Sequence, residues 1–249
     1  MPKLMRNGAD DGAMTSGRIP GLNGYGFSGV RTDRLGASHY TLVTVACDVS
    51  GSVAGFRDSL VDTLKRILSA CRKSPKASNL MVRTLLFNHS VTELHGFKSL
   101  DEIDDGDYDG IDAGGGTALH DACASAIGAM TEYGRLLVRQ DYGVDGMLFV
   151  VTDGRDEGST YSPSMVLSKA SEAVSGEVLE SFSSVLVGIN AGACSAYLDA
   201  FGKAAGLTRY VDAGSATPGN LARLADFVSR SVSSGSVSGS VSSSASVTI

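Results

Sequence analysis

Residues 39–53 read HYTLVTVACDVSGSV, and this stretch decides the fold. From residue 40 to residue 47 the chain is β-branched and almost continuously apolar. A half-exposed strand would alternate apolar with polar residues; a continuous run belongs to a parallel strand covered by helices on both faces. Residues 40–47 are therefore predicted as a core strand, with Asp48, Ser50 and Ser52 in the turn that leaves it. Residues 55–72 follow, with Phe56, Leu60, Leu64, Ile67, Leu68 and Cys71 on one stripe and charged residues between them. That is the spacing of an amphipathic helix, and strand followed by helix opens a βαβ unit.

The alternation continues outward. Residues 79–87 and 91–97 read as two strands joined by the polar turn Asn88, His89, Ser90, which predicts an antiparallel hairpin at a sheet edge. From Thr117, residues Leu119, Cys123, Ile127 and Met130 mark a helix face, and GMLFVVT at 146–152 is the most apolar strand in the chain. Helices near 163–175 and 196–205, strands at 182–189 and 209–212, and a helix at 218–229 complete the series. Strands alternating with helices predict an α/β, doubly wound, mostly parallel sheet with one antiparallel edge strand, flanked by helices.

Outside this core the composition changes. Residues 1–38 are Gly-rich, with neither helical nor strand periodicity, and read either as an arm that wraps against the domain, with Tyr25, Gly26 and Phe27 as an aromatic anchor, or as a disordered leader. Residues 231–249 are Ser-rich and of low complexity and read as a tail, although the valines at 237, 241 and 247 leave open a strand formed on assembly. The expected organisation is an arm at 1–38, one α/β domain at 39–230 and a tail at 231–249.

Bulk properties exclude several function classes. The net charge is -6, from 21 basic and 27 acidic residues, with no Lys/Arg cluster. Phosphate binding needs a concentrated positive field, so neither nucleic acid nor an anionic membrane is an expected partner. The start of the chain lacks the apolar core of a secretion signal, and no run is long enough to span a bilayer. Four cysteines, Cys47, Cys71, Cys123 and Cys194, show no CxxC or similar spacing and read as thiols in a reducing compartment. Cytoplasmic residence is the expectation.

Ligands of an open α/β sheet collect beyond the carboxyl ends of its strands. Three polar segments fall there: Asp48, Ser50 and Ser52; the glycines at 114–116 with Thr117; and Asp153 with Gly154. Two carboxylates and three hydroxyls are hard oxygen donors, suited to Mg²⁺ or Mn²⁺ and not to zinc, which favours His and Cys. If the neutral hydroxyls bind directly, the cation stays electrophilic and seeks an anionic ligand, such as a partner's Asp or Glu carboxylate. Asp121 reads as a solvated or helix-capping aspartate, with a supporting place behind the site as the alternative, His120 as a neighbour of the site rather than a ligand, and the acidic residues at 101–112 as a solvated face rather than a calcium loop, whose spacing they do not match. Arg155, Asp156 and Glu157 sit where a partner would dock.

DVSGSV, the threonine of GGGT and the aspartate of TDG, in that order, resemble the metal-ion-dependent adhesion site (MIDAS) of von Willebrand factor A (VWA) domains. The resemblance covers about residues 38–230. It implies direct metal ligation by Ser50, Ser52 and Thr117, support from Asp48 and Asp153, and a Rossmann-like fold. GGGTALHDA and the Ser-rich end after FVSRS look similar to small stand-alone bacterial and phage-borne VWA proteins, including those of tellurium-resistance type. Such relatives act as partners of AAA+ ATPases or kinases, which implies an adaptor in a bacterial or phage stress or assembly system.

The expected role is therefore a protein-interaction module and not an enzyme. Two alternatives remain open. One is a structural protein that forms homo-oligomers through arm and tail. The other is a metal-assisted phosphohydrolase with Asp48 as nucleophile, against which stands Ser50, where haloacid-dehalogenase-type enzymes carry a second aspartate.

Overall fold

In the computed structural model, which describes residues 14–235 and 247–248, the decisive stretch forms strand β3 (His39–Asp48), buried along nearly its whole length. It pairs in parallel with β4 (Leu80–Phe87) on one side and β6 (Gly143–Thr152) on the other. Beyond β6 lie β7 (Ser181–Gly188) and β8 (Arg209–Asp212), also parallel, and beyond β4 lies β5 (Val91–Ser99), antiparallel to it. The doubly wound, mostly parallel α/β sheet expected from the sequence is the architecture found.

Successive residues of β3 point to opposite faces, and each face has its own core. Val43, Val45 and Cys47 meet Leu60, Leu64 and Ile67 of α1 (Arg57–Arg72) and Leu224 and Val228 of α5 (Pro218–Ser234). Leu42 and Ala46 face α2 (Leu119–Val138), α3 (Pro163–Ser175) and α4 (Ser195–Ala204) through residues such as Ile127, Met130, Val166 and Phe201. Full burial of each such side chain contributes about 1.5–3 kcal/mol, so the apolar run at 40–47 anchors both layers. Pro163 and Pro218 stand in the first turns of α3 and α5, where a missing N–H costs no helical bond. Gly235, at φ 70°, ends α5 in the left-handed conformation that a glycine adopts without penalty. The helix continues past the expected boundary at 230, to Ser234.

The N-terminal arm differs from its expectation. It is not aperiodic wrapping: β1 (Met14–Arg18) and β2 (Gly26–Val30) form an antiparallel hairpin, and β2 joins the sheet beside β5 at Gly29 and Phe97. The glycines that hide strand periodicity are here the means of close approach. A Cβ on Gly96 would collide with Ser28, and one on Gly29 would press into the ring of Tyr133. A buried ion pair, Arg83 to Glu93 at 2.6 Å, secures the junction. Ser28 donates its hydroxyl to Glu93 at 2.5 Å, and Arg83 donates to the Gly26 carbonyl at 3.3 Å. The expected aromatic anchor is present, with Phe27 buried and tilted against Tyr133. Residues 1–13 of the arm lie outside the described residues.

The hairpin explains the composition of α2. Of its 20 residues 15 are buried, many of them Ala or Gly, because the helix lies between the sheet and Ile19 and Leu22 of the hairpin turn. A Cβ on Gly128 would strike Ile19. At the opposite edge β9 (Val247–Thr248) pairs in parallel with β8; Val237 and Val241 lie outside the described residues. The acidic segment folds into 3-10 turns at Leu100–Glu102 and Asp105–Tyr108. Its carboxylates meet Arg72 and Lys65 at 2.8 and 2.6 Å, but it is more than a solvated face. Tyr108 is buried, its hydroxyl 2.8 Å from Thr84 and 2.7 Å from His95. Cys47, Cys71 and Cys123 are buried free thiols and Cys194 is half-buried. Among the described residues no helix is long and apolar enough to cross a membrane.

Candidate functional site

Two strand ends and one helix start build the site. Asp48 closes β3, Thr152 closes β6 with Asp153 just beyond it, and Thr117 stands two residues before α2. Backbone bonds stitch the segments together. Gly114 N donates to Val49 O at 2.8 Å, Gly51 N to Gly115 O at 3.0 Å and Ala118 N to Asn88 O at 2.5 Å. Asn88 Nδ2 also donates to Gly114 O at 2.9 Å. Gly115 has φ +83° and carries the imidazole of His89 where a Cβ would be, so a side chain there would be both strained and blocked.

The polar side chains form a chain of oxygens. Asp48 Oδ1 accepts from Ser50 N at 2.8 Å, and its Oδ2 accepts from the Thr152 hydroxyl at 2.6 Å. Ser50 Oγ lies 3.1 Å from Ser52 Oγ, which donates to Asp153 Oδ1 at 2.7 Å. Thr117 is buried, and its hydroxyl would lie 3.9 Å from a Cβ on Gly154. The structure thus brings all five sequence-predicted residues, Asp48, Ser50, Ser52, Thr117 and Asp153, to one end of the sheet. Asp48 is only 1% exposed and Ser50 2%, whereas Ser52 is exposed, so the group opens to solvent on the Ser52 side.

Charge is concentrated there. Burial raises Asp48 to about 6; hydrogen bonds from Thr152 and Ser50 oppose the rise, and Asp153 adds to it. Burial likewise raises Asp153, against the bond from Ser52. Among the described residues no lysine or arginine contributes to either shift. Two partly desolvated carboxylates without a side-chain counter-ion are an arrangement that a bound cation would relieve.

The donor set fits a small hard cation. Neighbouring ligand oxygens of an octahedral ion with bonds of about 2.1 Å stand about 3.0 Å apart, and the Ser50 and Ser52 hydroxyls are 3.1 Å apart, with Asp153 held behind them by the bond from Ser52 at 2.7 Å. Among the described residues no three His, Cys, Asp or Glu side chains cluster as metal ligands, so the hydroxyls are indispensable to any such site.

Around it the expectations divide. His120 turns both ring nitrogens to other partners, Nδ1 to Tyr161 O and Nε2 to the Tyr197 hydroxyl, each at 3.2 Å, and stacks on Phe201. Arg155 lies over the Tyr197 ring, 5.7 Å from its centroid. Asp121 does not cap its own helix. Its buried carboxylate accepts from Thr160 N, Tyr161 N and the Tyr25 hydroxyl. The bond to α2 comes instead from Asp156, which accepts from His120 N at 3.2 Å. Sequence reasoning also missed Thr152 and Asn88. Thr152, next to Asp153 in the TDG segment, was the findable one.

Neither a family model nor a curated protein matches the sequence. Solved structures match its fold. The PilB minor pilin from Streptococcus sanguinis is 14% identical, with a TM-score of 0.57, over 86% of this chain and 66% of the pilin chain. The vWF domain of the type V pili tip protein Mfa5 from Porphyromonas gingivalis is 12% identical, with a TM-score of 0.53, over 83% of this chain and 99% of that one. Proximal thread matrix protein 1 from the mussel byssus, in a structure with a zinc-occupied MIDAS motif, is 16% identical, with a TM-score of 0.52, over 79% of this chain and 46% of its own. This chain spans just under two thirds of the pilin and under half of the thread protein. Its fold is of the von Willebrand factor A type.

Proposed function

We propose that the protein is a metal-dependent protein-binding module of the MIDAS kind. Ser50, Ser52 and Thr117 hold a Mg²⁺ or Mn²⁺ ion, and Asp48 and Asp153 support it from behind. The observation that carries this is the oxygen chain of Ser50, Ser52 and Asp153, spaced 3.1 and 2.7 Å, beside two carboxylates that burial alone disfavours. When bound, the cation supplies an open coordination position for a partner's Asp or Glu carboxylate. Asp48 fixes the turn through its bonds to Ser50 N and Thr152, and the exposed Ser52 marks the side from which a partner enters. The zinc-occupied motif of the byssus protein, on the same fold, supports a metal in such a site.

Binding is favoured over catalysis because Ser50 occupies the position where a phosphohydrolase of this layout would need its general acid. The partner is an acidic surface of another protein, in the adaptor role that a bacterial or phage stress or assembly system would use, with an AAA+ ATPase or a kinase as the kind of partner. Buried free thiols support a reducing, cytoplasmic location. Calorimetric titration with Mg²⁺, Mn²⁺ and Zn²⁺ tests the metal. Wild type should bind Mg²⁺ or Mn²⁺ and Asp48→Ala should not; equal null heats for both proteins would end the proposal. Retention of a partner on the immobilised protein should then be lost in chelator.

A further inference from the structure

The loop that begins at Asp153 returns over the start of α2, and loop and helix exchange hydrogen bonds in both directions. Loop side chains serve the helix: Asp156 Oδ1 accepts from His120 N at 3.2 Å, and Ser159 Oγ accepts from Asp121 N at 3.1 Å. Helix-side groups serve the loop: Thr117 O accepts from Glu157 N at 2.7 Å, and the Asp121 carboxylate accepts from Thr160 N at 3.1 Å and Tyr161 N at 2.8 Å. Asp121 is 3% exposed and stands one helical turn beyond Thr117.

The third donor to Asp121 comes from far away in sequence. Tyr25, in the turn of the N-terminal hairpin, gives its hydroxyl to Asp121 Oδ2 at 2.8 Å. The same turn makes a second attachment, from Asn23 N to the Tyr161 hydroxyl at 2.7 Å, and the Tyr25 and Tyr161 rings lie 6.1 Å apart. Lys169 fastens the turn to α3 through Pro20 O at 2.8 Å. Burial and the neighbouring carboxylate push the Tyr25 phenol well above its ordinary range, so it remains a donor. One buried carboxylate therefore joins three pieces: the helix that presents Thr117, the loop that presents Asp153, and the hairpin turn.

We propose that Tyr25 and Asp121 are positioning residues for the candidate metal site, by which the N-terminal hairpin sets the separation of Thr117 from Asp153. This rests on the reading of those two residues as metal-holding groups. A hydroxyl ligand and a supporting carboxylate on different segments hold a small cation only if their spacing is fixed to a fraction of an ångström, and the Asp121 junction is what fixes it. Hairpin and site are then energetically coupled, although Tyr25 touches no proposed ligand.

The test is Mn²⁺ titration of the full chain, by calorimetry, for wild type, Tyr25→Phe and Thr117→Ala, together with amide hydrogen exchange at Thr160 and Tyr161. Tyr25→Phe removes one oxygen and keeps the ring. Its Mn²⁺ affinity should fall about three- to tenfold, with faster exchange at both amides, while Thr117→Ala abolishes binding. Tyr25→Phe with wild-type Mn²⁺ affinity, even with a lowered melting temperature, overturns the inference and leaves the proposed function standing. Undiminished binding by Thr117→Ala overturns both. Should Tyr25→Phe not fold, Tyr161→Phe, which removes the acceptor of Asn23 N–H at the same junction, is read by the same criteria.

Discussion

Replacing Asp48 by asparagine should stabilise the metal-free protein while destroying its response to metal. Burial moves the Asp48 carboxyl from its ordinary 3.8 to about 6, a charge penalty of about 3 kcal/mol at neutral pH. The amide removes that penalty but accepts through one oxygen only, so one of the bonds from Ser50 N and Thr152 Oγ1 must change. Thr152 offers a way out, since its hydroxyl can accept from the amide and turn its own proton toward Gly154 O, 3.4 Å away. Allowing about 1–2 kcal/mol for the altered bond, the variant should gain about 1–2 kcal/mol near pH 7.5, or about 2–6 °C in melting temperature for a chain of this size. The pH sign follows from the raised folded-state value. Between pH 3.8 and about 6 the folded protein keeps a proton that the unfolded chain has released, so stability falls as pH rises through that window. Above it the full penalty stands; below it the carboxyl is protonated in both states, and wild type and variant converge. Thermal unfolding in chelator near pH 4 and pH 7.5, then with Mn²⁺ near pH 7.5, measures all of this. An Asp48→Asn protein no more stable than wild type in chelator near pH 7.5 would refute the reasoning.

Ser52→Ala deletes the exposed hydroxyl that links Ser50 to Asp153; Mn²⁺ affinity by calorimetry should drop at least about tenfold, with little change in metal-free melting temperature. Gly96→Ala drives a Cβ into Ser28 and should cost about 2–4 kcal/mol, seen as a lower urea midpoint together with faster trypsin cleavage after Arg18. Arg83→Met strips the buried Glu93 of its cation, which should cost about 3–5 kcal/mol. Adding Glu93→Gln should recover part of that loss in the same denaturation assay.

The core strands were legible because burial on both faces leaves a plain mark: an apolar run at 40–47 and another at 146–152. The stripe of α1 and the order of the alternating elements were equally open, and with them the places where strands end. Asp48, Ser50, Ser52, Thr117 and Asp153 could be brought together on paper because each lies at one of those ends. The hairpin was not legible. Its strands carry Gly17, Gly26 and Gly29, which permit close contact with Phe27, the facing backbone and Tyr133, and a sequence shows such glycines only as an absence of pattern. Nor could Asp121 be read correctly. Its position predicts a helix cap, but its partners Tyr25 and Tyr161 lie 96 and 40 residues away, and only the folded chain shows that a carboxylate serves a distant loop instead of its own helix. Thr152 lay in view beside Asp153, but its bond to Asp48 becomes visible only once β6 is placed beside β3.

The central claim is that one divalent cation sits among the hydroxyls of Ser50, Ser52 and Thr117. Crystals grown or soaked with Mn²⁺ and measured near the manganese absorption edge locate the ion directly. The prediction is a single strong anomalous peak about 2.2 Å from each of the three hydroxyl oxygens, absent from Ser52→Ala crystals treated alike. A peak elsewhere in the chain, or none at this end of the sheet under the same Mn²⁺ concentration, would contradict it.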